Sequence, residues 1–388
     1  MSNIFFFSIP AAGHTNPTLP VVSELAKRGH CVYYYSFAPY KEKIEAAGGI
    51  FRALDMYLPP LDKKSQKKME QSDVVEMTIH DLLITENALS FLEKEAQELH
   101  PGCVVADSVC FWGKLLAKKM QIPMICSTTT MAFNEYSSSY KKDSILEAGK
   151  LLAGMPKIQK AFHRLEKQGV QDIGLMDLVK NDNEIDTLVY TTKKFQPYAD
   201  TFSDKIFFCG PSLFPAADAE SKKEEPLVYI SLGTILNNNP AFFVNCMEAL
   251  ANQPYHVLIS CGPHFQMPPS DQIADNIEIH PYVNQMEVLS KCDAFISHCG
   301  MNSVSEALYY GVPLLMVPFT SEQRANAKRV AELGCGMLVK KQSPQSIRRQ
   351  IEELLFAKSY KENALKMQED FQMHNGAKSA ADFIERIL

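Results

Sequence analysis

Short apolar runs alternate along this chain with longer stretches whose apolar residues recur every three or four positions. Ile4–Ile9 (I-F-F-F-S-I) is apolar almost throughout, as expected of a strand covered on both faces. Leu19, Val22, Leu25 and Ala26 then form the stripe of an amphipathic helix. Asn16 or Thr15 can cap that helix, with Pro17 at its first position and Gly29 ending it beyond Lys27 and Arg28. Cys31–Phe37 reads as the second strand, so the chain opens with a β–α–β unit. His14 falls in the loop at the C-terminal end of the first strand, the edge where open α/β sheets place ligands.

Residues 57–100 predict a loop and then two helices, Val74–Ile84 and Glu86–Leu99. Cys103–Ala106 predicts a strand that delivers Asp107 to its C-terminal end, followed by a helix over Trp112–Met120 and a strand over Ile122–Ser127. Residues 131–180 predict mostly helix, and Thr187–Thr191 and Ile206–Cys209 close the first half as strands. Residues 214–226 (F-P-A-A-D-A-E-S-K-K-E-E-P) are polar, charged and bounded by prolines, as a linker would be. The second half repeats the alternation, with strands at Leu227–Leu232, His256–Ser260, Ile277–His280, Ala294–Ser297, Leu314–Val317 and Met337–Val339. The expected architecture is α/β: two Rossmann-like, doubly wound parallel sheets facing across a cleft, with strand C-terminal edges turned towards it. The boundaries read are 1–213, a linker at 214–226, 227–370, and a C-terminal helix within 371–388 that packs back on the first domain. Ala377–Leu388 is amphipathic, so it needs a surface to cover.

Composition excludes more than it specifies. With 46% hydrophobic and 22% charged residues in 388, the chain is of the ordinary globular class. A formal net charge of −6 with no basic domain argues against nucleic acid. Lys63–Lys68 reads as a local basic loop. No run approaches the ~20 apolar residues that cross a bilayer, and Met1-Ser2-Asn3 lacks a basic leader start, so a cytoplasmic protein without stable membrane insertion is expected. The ten cysteines are scattered with no C-x-x-C pair, against a zinc or redox site.

Candidate chemistry gathers where predicted strands end. Around Ala294–Ser297, the turn His298-Cys299-Gly300 precedes a helix that Asn302 or Ser303 can cap and Gly311 can stop. A helix starting there aims free N–H groups and a positive dipole end at an anion, typically phosphate. His298 can donate to a diphosphate oxygen, and Glu306, one turn after Ser303, can accept from ribose hydroxyls; a structural histidine and a solvated glutamate are the plain alternatives. Ser231, Gly233 and Thr234 follow a strand and suit phosphate, or an ordinary strand-to-helix turn. Tyr282 and Gln285 can stack on and hydrogen-bond a planar base, or serve as a core aromatic and a surface amide. Glu322 and Gln323, after Leu314–Val317, can hold sugar hydroxyls or simply open a helix. In the first half His14 and Asp107 suit a base and the carboxylate that orients it, although Asp107 also reads as a helix cap. No G-x-S-x-G, P-loop or G-x-G-x-x-G is present, which weighs against a hydrolase, a kinase-like NTPase and a dehydrogenase.

Three segments in this order, S-I-P-A-A-G-H-T-N-P-T-L, V-Y-I-S-L-G-T and the long Tyr282–Ala327 stretch, resemble the nucleotide-sugar-dependent glycosyltransferases of family 1. The nearest likeness is to their bacterial macrolide-type branch. The resemblance covers nearly the whole chain and implies the GT-B fold. It implies His14 as general base and Asp107 as its partner. It places Tyr282 at the stacked uracil, Val283 beside it in the donor site, Gln285 at the base, Glu306 at the ribose and His298 at the diphosphate. Gly300, Asn302 and Ser303 would form the phosphate-facing helix start, opposite Ser231, Gly233 and Thr234. Glu322 and Gln323 would hold the donor sugar. Met301 stands where Trp is frequent and Glu322 where Asp is frequent, departures that loosen the choice of sugar.

The implied reaction is inverting O-glycosylation from a UDP-sugar, UDP-glucose first, with no cofactor and no metal, since no Asp-x-Asp occurs. The acceptor would be a hydrophobic macrolide, polyketide, flavonoid or other phenol, lying against Phe111, Trp112, Met131 and Phe133, unless these are core residues. A monomer or homodimer is expected. A glycolipid-forming transferase, a UDP-sugar epimerase of the same fold and a non-catalytic nucleotide-sugar sensor are the rivals. The sensor needs no His14–Asp107 pair, and the epimerase needs no His14.

Overall fold

The apolar runs become strands because each face of each strand has helices to bury against. A computed structural model of the chain describes residues 1–70, 73–140, 144–170, 174, 184–216, 225–233 and 239–388. Seven strands form the first sheet: β1 Asn3–Phe7, β2 Cys31–Ser36, β3 Ile50–Ala53, β4 Cys103–Asp107, β5 Met124–Thr128, β6 Thr187–Val189 and β7 Ile206–Phe208. Their order is β3-β2-β1-β4-β5-β6-β7, and every pairing is parallel. Ile4 and Phe6 pack on one face with Leu19, Val22, Leu25, Ala380 and Ile384. Phe5 and Phe7 pack on the other with Ile84, Leu92, Trp112 and Leu116. That two-sided burial is why β1 carries no polar alternation.

The second sheet has β8 Leu227–Ser231, β9 His256–Ser260, β10 Ile277–His280, β11 Ala294–Ser297, β12 Leu314–Met316 and β13 Gly336–Leu338, in the parallel order β10-β9-β8-β11-β12-β13. Each sheet is therefore wound outwards from its first strand to one side, and then to the other. The reversal lies between β1 and β4 in the first sheet and between β8 and β11 in the second. At such a point the connecting segments leave to opposite faces, and a crevice opens at the strand ends.

The chain divides into two compact units. The first holds Met1–Tyr190, Tyr198–Ser212 and Gly376–Leu388, and the second holds Thr191–Pro197 and Leu213–Asn375. The return to the first unit thus begins at Gly376, whereas residues 371–373 finish the Lys358–Met373 helix of the second. Thr191–Pro197 belongs with the second unit because Phe195 packs edge-on against Phe371 at 6.0 Å and Thr192 donates to Asp370 Oδ2 at 2.5 Å. Most of the linker read at 214–226 (217–224) lies outside the described residues.

Local expectations fail where a side chain's hydrogen bonds decide. The run at Lys63–Lys68 is helical, within Lys63–Glu70, because Asp62 accepts the Ser65 N–H at 2.7 Å and starts it. The two helices expected at 74–99 are one, Val74–Leu99, capped by Asp73, which accepts from Val75 and Glu76. The first helical segment starts at Ala12 rather than at Pro17 behind an Asn16 or Thr15 cap, and runs through Asn16–Thr18 into Leu19–Lys27. The edge strand β3 is short and half-exposed, so no apolar run marks it in the sequence. Within 131–180, helix is described over Ser144–Glu166, while 141–143, 171–173 and 175–180 lie outside the described residues.

The C-terminal helix, Gly376–Glu385, covers the Leu19–Lys27 helix. Phe383 stacks on Phe207 with centroids 4.9 Å apart, and Arg28 reaches Asp382 and Glu385 at 2.6 Å each. Phe383→Ala removes the stacked ring from this seam. The expected loss is about 3–5 kcal/mol of unfolding free energy, read from equilibrium urea denaturation followed by circular dichroism.

Candidate active site

β1 and β4 are neighbours, with Phe7 opposite Ala106, so the segments leaving the two strand ends meet. His14 sits on the helical turn Ala12–Thr15 just past β1, and Asp107 is the last residue of β4. His14 Nδ1 lies 2.8 Å from Asp107 Oδ2. The Thr129 hydroxyl, just past β5, lies 3.3 Å from the same nitrogen. Asp107 Oδ1 accepts the Val109 N–H at 2.9 Å. Asp107 does not cap the next helix, Phe111–Met120, whose cap position is Cys110. The Asp107 side chain is fully buried, while a quarter of the His14 side chain is exposed. A buried carboxylate on Nδ1 selects the tautomer with its proton there and makes Nε2 the basic nitrogen.

Asp81 of the Val74–Leu99 helix is held above the ordinary carboxylate range by burial, against the opposing pull of its neighbour His80 at 3.9 Å. It sits in an amphipathic helix with no motif around it, so periodicity gave no signal.

The second site sits at the other reversal, where β8 lies beside β11 with Ser231 opposite Ser297. Ser231 ends β8 and its Oγ accepts the Gly233 N–H at 3.3 Å; Thr234 lies outside the described residues. His298 comes directly after β11, and glycines flank its ring. A methyl group on Gly233, where φ is +77°, would come within 2.6 Å of His298 Cε1, and one on Gly300 within 2.7 Å of Nε2. His298 Nδ1 is buried without a hydrogen-bond partner, and burial lowers the pKa to about 4. The imidazole is therefore neutral at pH 7 and donates through one nitrogen only. The turn around it is tight: Cys299 has φ +65°, Ser297 Oγ accepts the Cys299 N–H at 3.1 Å, and Asn326 Nδ2 donates to the Cys299 carbonyl at 3.0 Å.

The Met301–Tyr309 helix begins there with Gly300 as its cap, not Asn302 or Ser303, and no side chain caps its first turn. This leaves that end with a feature suited to an anion. One turn along, Glu306 Oε2 accepts from Gln285 Nε2 at 2.5 Å, and the same nitrogen is 3.3 Å from Ser303 Oγ. Gln285 opens the Gln285–Leu289 helix, and its Oε1 accepts the Tyr229 hydroxyl at 3.2 Å. The amide thus lies against Glu306 rather than standing clear for a base. Burial raises the Glu306 pKa to about 7, against the opposing pull of the Gln285 hydrogen bond. Tyr282 is 79% exposed, so its ring is no core residue, and Val283 beside it is half-buried.

After β12, the helix Ser321–Glu332 carries Glu322 and Gln323 in its first turn. Glu322 Oε1 accepts from Asn326 at 2.9 Å. Gln323 is buried in a capping box: its Oε1 accepts the Phe319 and Thr320 N–H groups at 2.8 and 3.2 Å, and Thr320 Oγ1 accepts the Gln323 N–H. Phe111 and Trp112, expected against an acceptor, are instead core residues, packed among Leu82, Leu115 and Ile158 and against Phe37. The helix beginning just past Asp107 turns both rings inward, because helices cover that face of the sheet. Met131 is buried too, and Phe133 is half-buried. Among the described residues, no three His, Cys, Asp or Glu side chains gather as metal ligands, and no helix is long and apolar enough to cross a membrane.

Residues 216–375, which hold the whole second site, match the family model described as "UDP-glucoronosyl and UDP-glucosyl transferase". An NDP-glycosyltransferase of Bacillus subtilis, YjiC, is 32% identical over 100% of this chain and 97% of its own. The chain belongs to the UDP-glycosyltransferase family. A demethyllactenocin mycarosyltransferase of Streptomyces fradiae is 30% identical over 100% of this chain and 87% of its own. The crystal structure of the glycotransferase of kitacinnamycin superposes with a TM-score of 0.82 at 28% identity, covering 100% of this chain and 99% of that one. The two parallel-sheet units are those of the GT-B fold, and this glycosyltransferase binds a nucleotide-sugar donor and an acceptor.

Glu306 in the folded enzyme ionises near pH 7 instead of the ordinary 4.5. Its charge therefore costs nothing below pH 4.5, and up to about 3 kcal/mol of stability once the pH has risen past 7. Glu306→Gln should match the wild type in thermal melts at pH 4 and exceed it at pH 8.5. Gly300→Ala keeps an ordinary φ of −58°, so its only clash is with the His298 ring. It should destabilise the fold by about 1–3 kcal/mol in urea denaturation, and by less in a His298→Ala background.

Proposed function

We propose that this glycosyltransferase is an inverting, metal-independent enzyme that transfers a hexose, glucose as the first candidate, from its UDP-sugar to a hydroxyl of a hydrophobic small molecule. Macrolides, other polyketides, flavonoids and simpler phenols are the proposed acceptors. The observation that carries this reading is the His14–Asp107 pair at 2.8 Å, with a buried carboxylate behind a partly exposed imidazole. An epimerase or a sensor has no use for such a pair. The relative named for mycarosyl transfer to demethyllactenocin supports an acceptor of natural-product type.

In this mechanism His14 Nε2 takes the acceptor hydroxyl proton, and Asp107 stabilises the imidazolium. The acceptor oxygen attacks the anomeric carbon of an α-linked donor from the opposite face. The new C–O bond forms as the bond to the diphosphate oxygen breaks, giving a β-glycoside and UDP. The charge growing on UDP is met by the start of the Met301–Tyr309 helix, by the neutral His298 N–H and by Ser231. Tyr282 stacks on uracil beside Val283, Gln285 and Glu306 address the nucleoside, and Glu322 with Gln323 addresses the sugar. The ten cysteines are free thiols, which fits a reducing cytoplasm.

The test is mass spectrometry after incubation with UDP- and TDP-sugars against a panel of phenols and macrolides, with the product anomer read by NMR. The expected result is a β-glycoside formed equally with and without EDTA, and turnover reduced roughly 10²-fold or more in His14→Ala. Tight UDP binding without any glycoside would instead support a sensor. Full activity of His14→Ala on a weakly acidic alcohol would remove the base assignment.

A further inference from the structure

Tyr229 lies in the middle of β8, fully buried, with its ring stacked on Phe295 at 4.8 Å and 14°. Packing alone asks for a phenylalanine there. The hydroxyl instead donates to Gln285 Oε1 at 3.2 Å, while Gln285 Nε2 reaches Glu306 Oε2 at 2.5 Å and Ser303 Oγ at 3.3 Å. An amide has two ends of nearly the same shape, and only its partners decide which way round it sits. A phenol donor on one side fixes the oxygen there and turns the NH2 towards the carboxylate. The chain of donors therefore runs from tyrosine to glutamine to glutamate, each bond polarising the next.

We propose that Tyr229 is a positioning residue of the donor site, which orients the Gln285 amide and through it sets the carboxylate of Glu306 for the nucleotide sugar. This rests on the proposed donor-site reading of Glu306. Tyr229 touches no substrate; it acts through Gln285. The groups that couple to Glu306 among the described residues are Gln285 from its own short helix, Tyr229 from β8 and Tyr310 from the end of the Glu306 helix. Both phenols are pushed up from their usual range by burial, so neither carries charge near neutrality. The NH2 of Gln285 is then the group that favours the ionised carboxylate against its burial, and Tyr229 keeps it in place.

Tyr229→Phe preserves the stacked ring and deletes only the hydroxyl. In the full-length enzyme, UDP binding by calorimetry and the donor KM should weaken about 5- to 10-fold, the size of one lost hydrogen bond in such a network, with kcat changed less than twofold. The pH midpoint for UDP binding, set by Glu306 ionisation, should move upward. In a Glu306→Gln background the same substitution should have a smaller effect on UDP, what remains passing through Gln285 alone, whereas a merely structural loss would persist there in full. Gln285→Glu tests the coupling of residue 285 to Glu306 even if Tyr229→Phe folds poorly. It places a second carboxylate against Glu306, so UDP should bind it more weakly than Gln285→Ala at pH 8. Equal or tighter binding would overturn that coupling, and an unchanged donor KM in a folded Tyr229→Phe would overturn the role of Tyr229. If Glu306→Gln itself binds UDP as the wild type does, the donor-site reading fails instead, and with it the premise.

Discussion

The reversal of winding in each parallel sheet is the constraint on which the rest depends. β1 must lie beside β4, and β8 beside β11, because the chain has filled one side of its first strand before crossing to the other. Each such neighbour pair sends its connecting segments to opposite faces, so its C-terminal ends are left uncrossed by chain. His14 and Asp107 meet at one of these places, and Gly233 and His298 at the other. Neither pair is close in sequence. The strand register, Phe7 opposite Ala106 and Ser231 opposite Ser297, brings each together.

Three titratable groups, Asp107 fully buried and Glu306 and His298 half-buried, show three answers to the cost of charge in a poor solvent. Asp107 is fully buried, and it has an imidazole on one oxygen and a backbone N–H on the other. Glu306 has only the amide of Gln285, and its pKa rises to about 7. His298 has no partner at Nδ1 and remains neutral. Buried polar groups left short of partners cost stability, about 1–3 kcal/mol each. Such groups persist where a ligand completes them, and here they stand together at the start of one helix.

The surrounding packing keeps these groups in place. Glycine at 233 and 300 gives the His298 ring its slot, since any side chain would occupy it. The capping box at Thr320 and Gln323 fixes the start of the helix that carries Asn326, whose amide in turn holds the Cys299 turn. At the far end of the chain, the last helix returns to the first unit and covers the helix that leads away from His14.

Much of the fold was legible because a parallel sheet covered on both sides writes itself as uninterrupted apolar runs. The cores of His256–Ser260, Ile277–His280 and Ala294–Ser297 stand where the pattern put them. The ordered motifs also determined the family, since residues at strand ends are specified by what they hold and not by what they pack against. Short-range patterns could not decide between a capping side chain and a glycine at 300, or between a loop and a helix at 63–70, because one hydrogen bond settles each. Phe111 and Trp112 read as acceptor-lining candidates or core residues and are core, since sequence gives a helix its stripe but not the sheet face it will cover. Tyr229 passed as one more apolar residue of a strand. Only tertiary structure brings its hydroxyl to Gln285, 56 residues away, because the strand order and not the chain order chooses its neighbours.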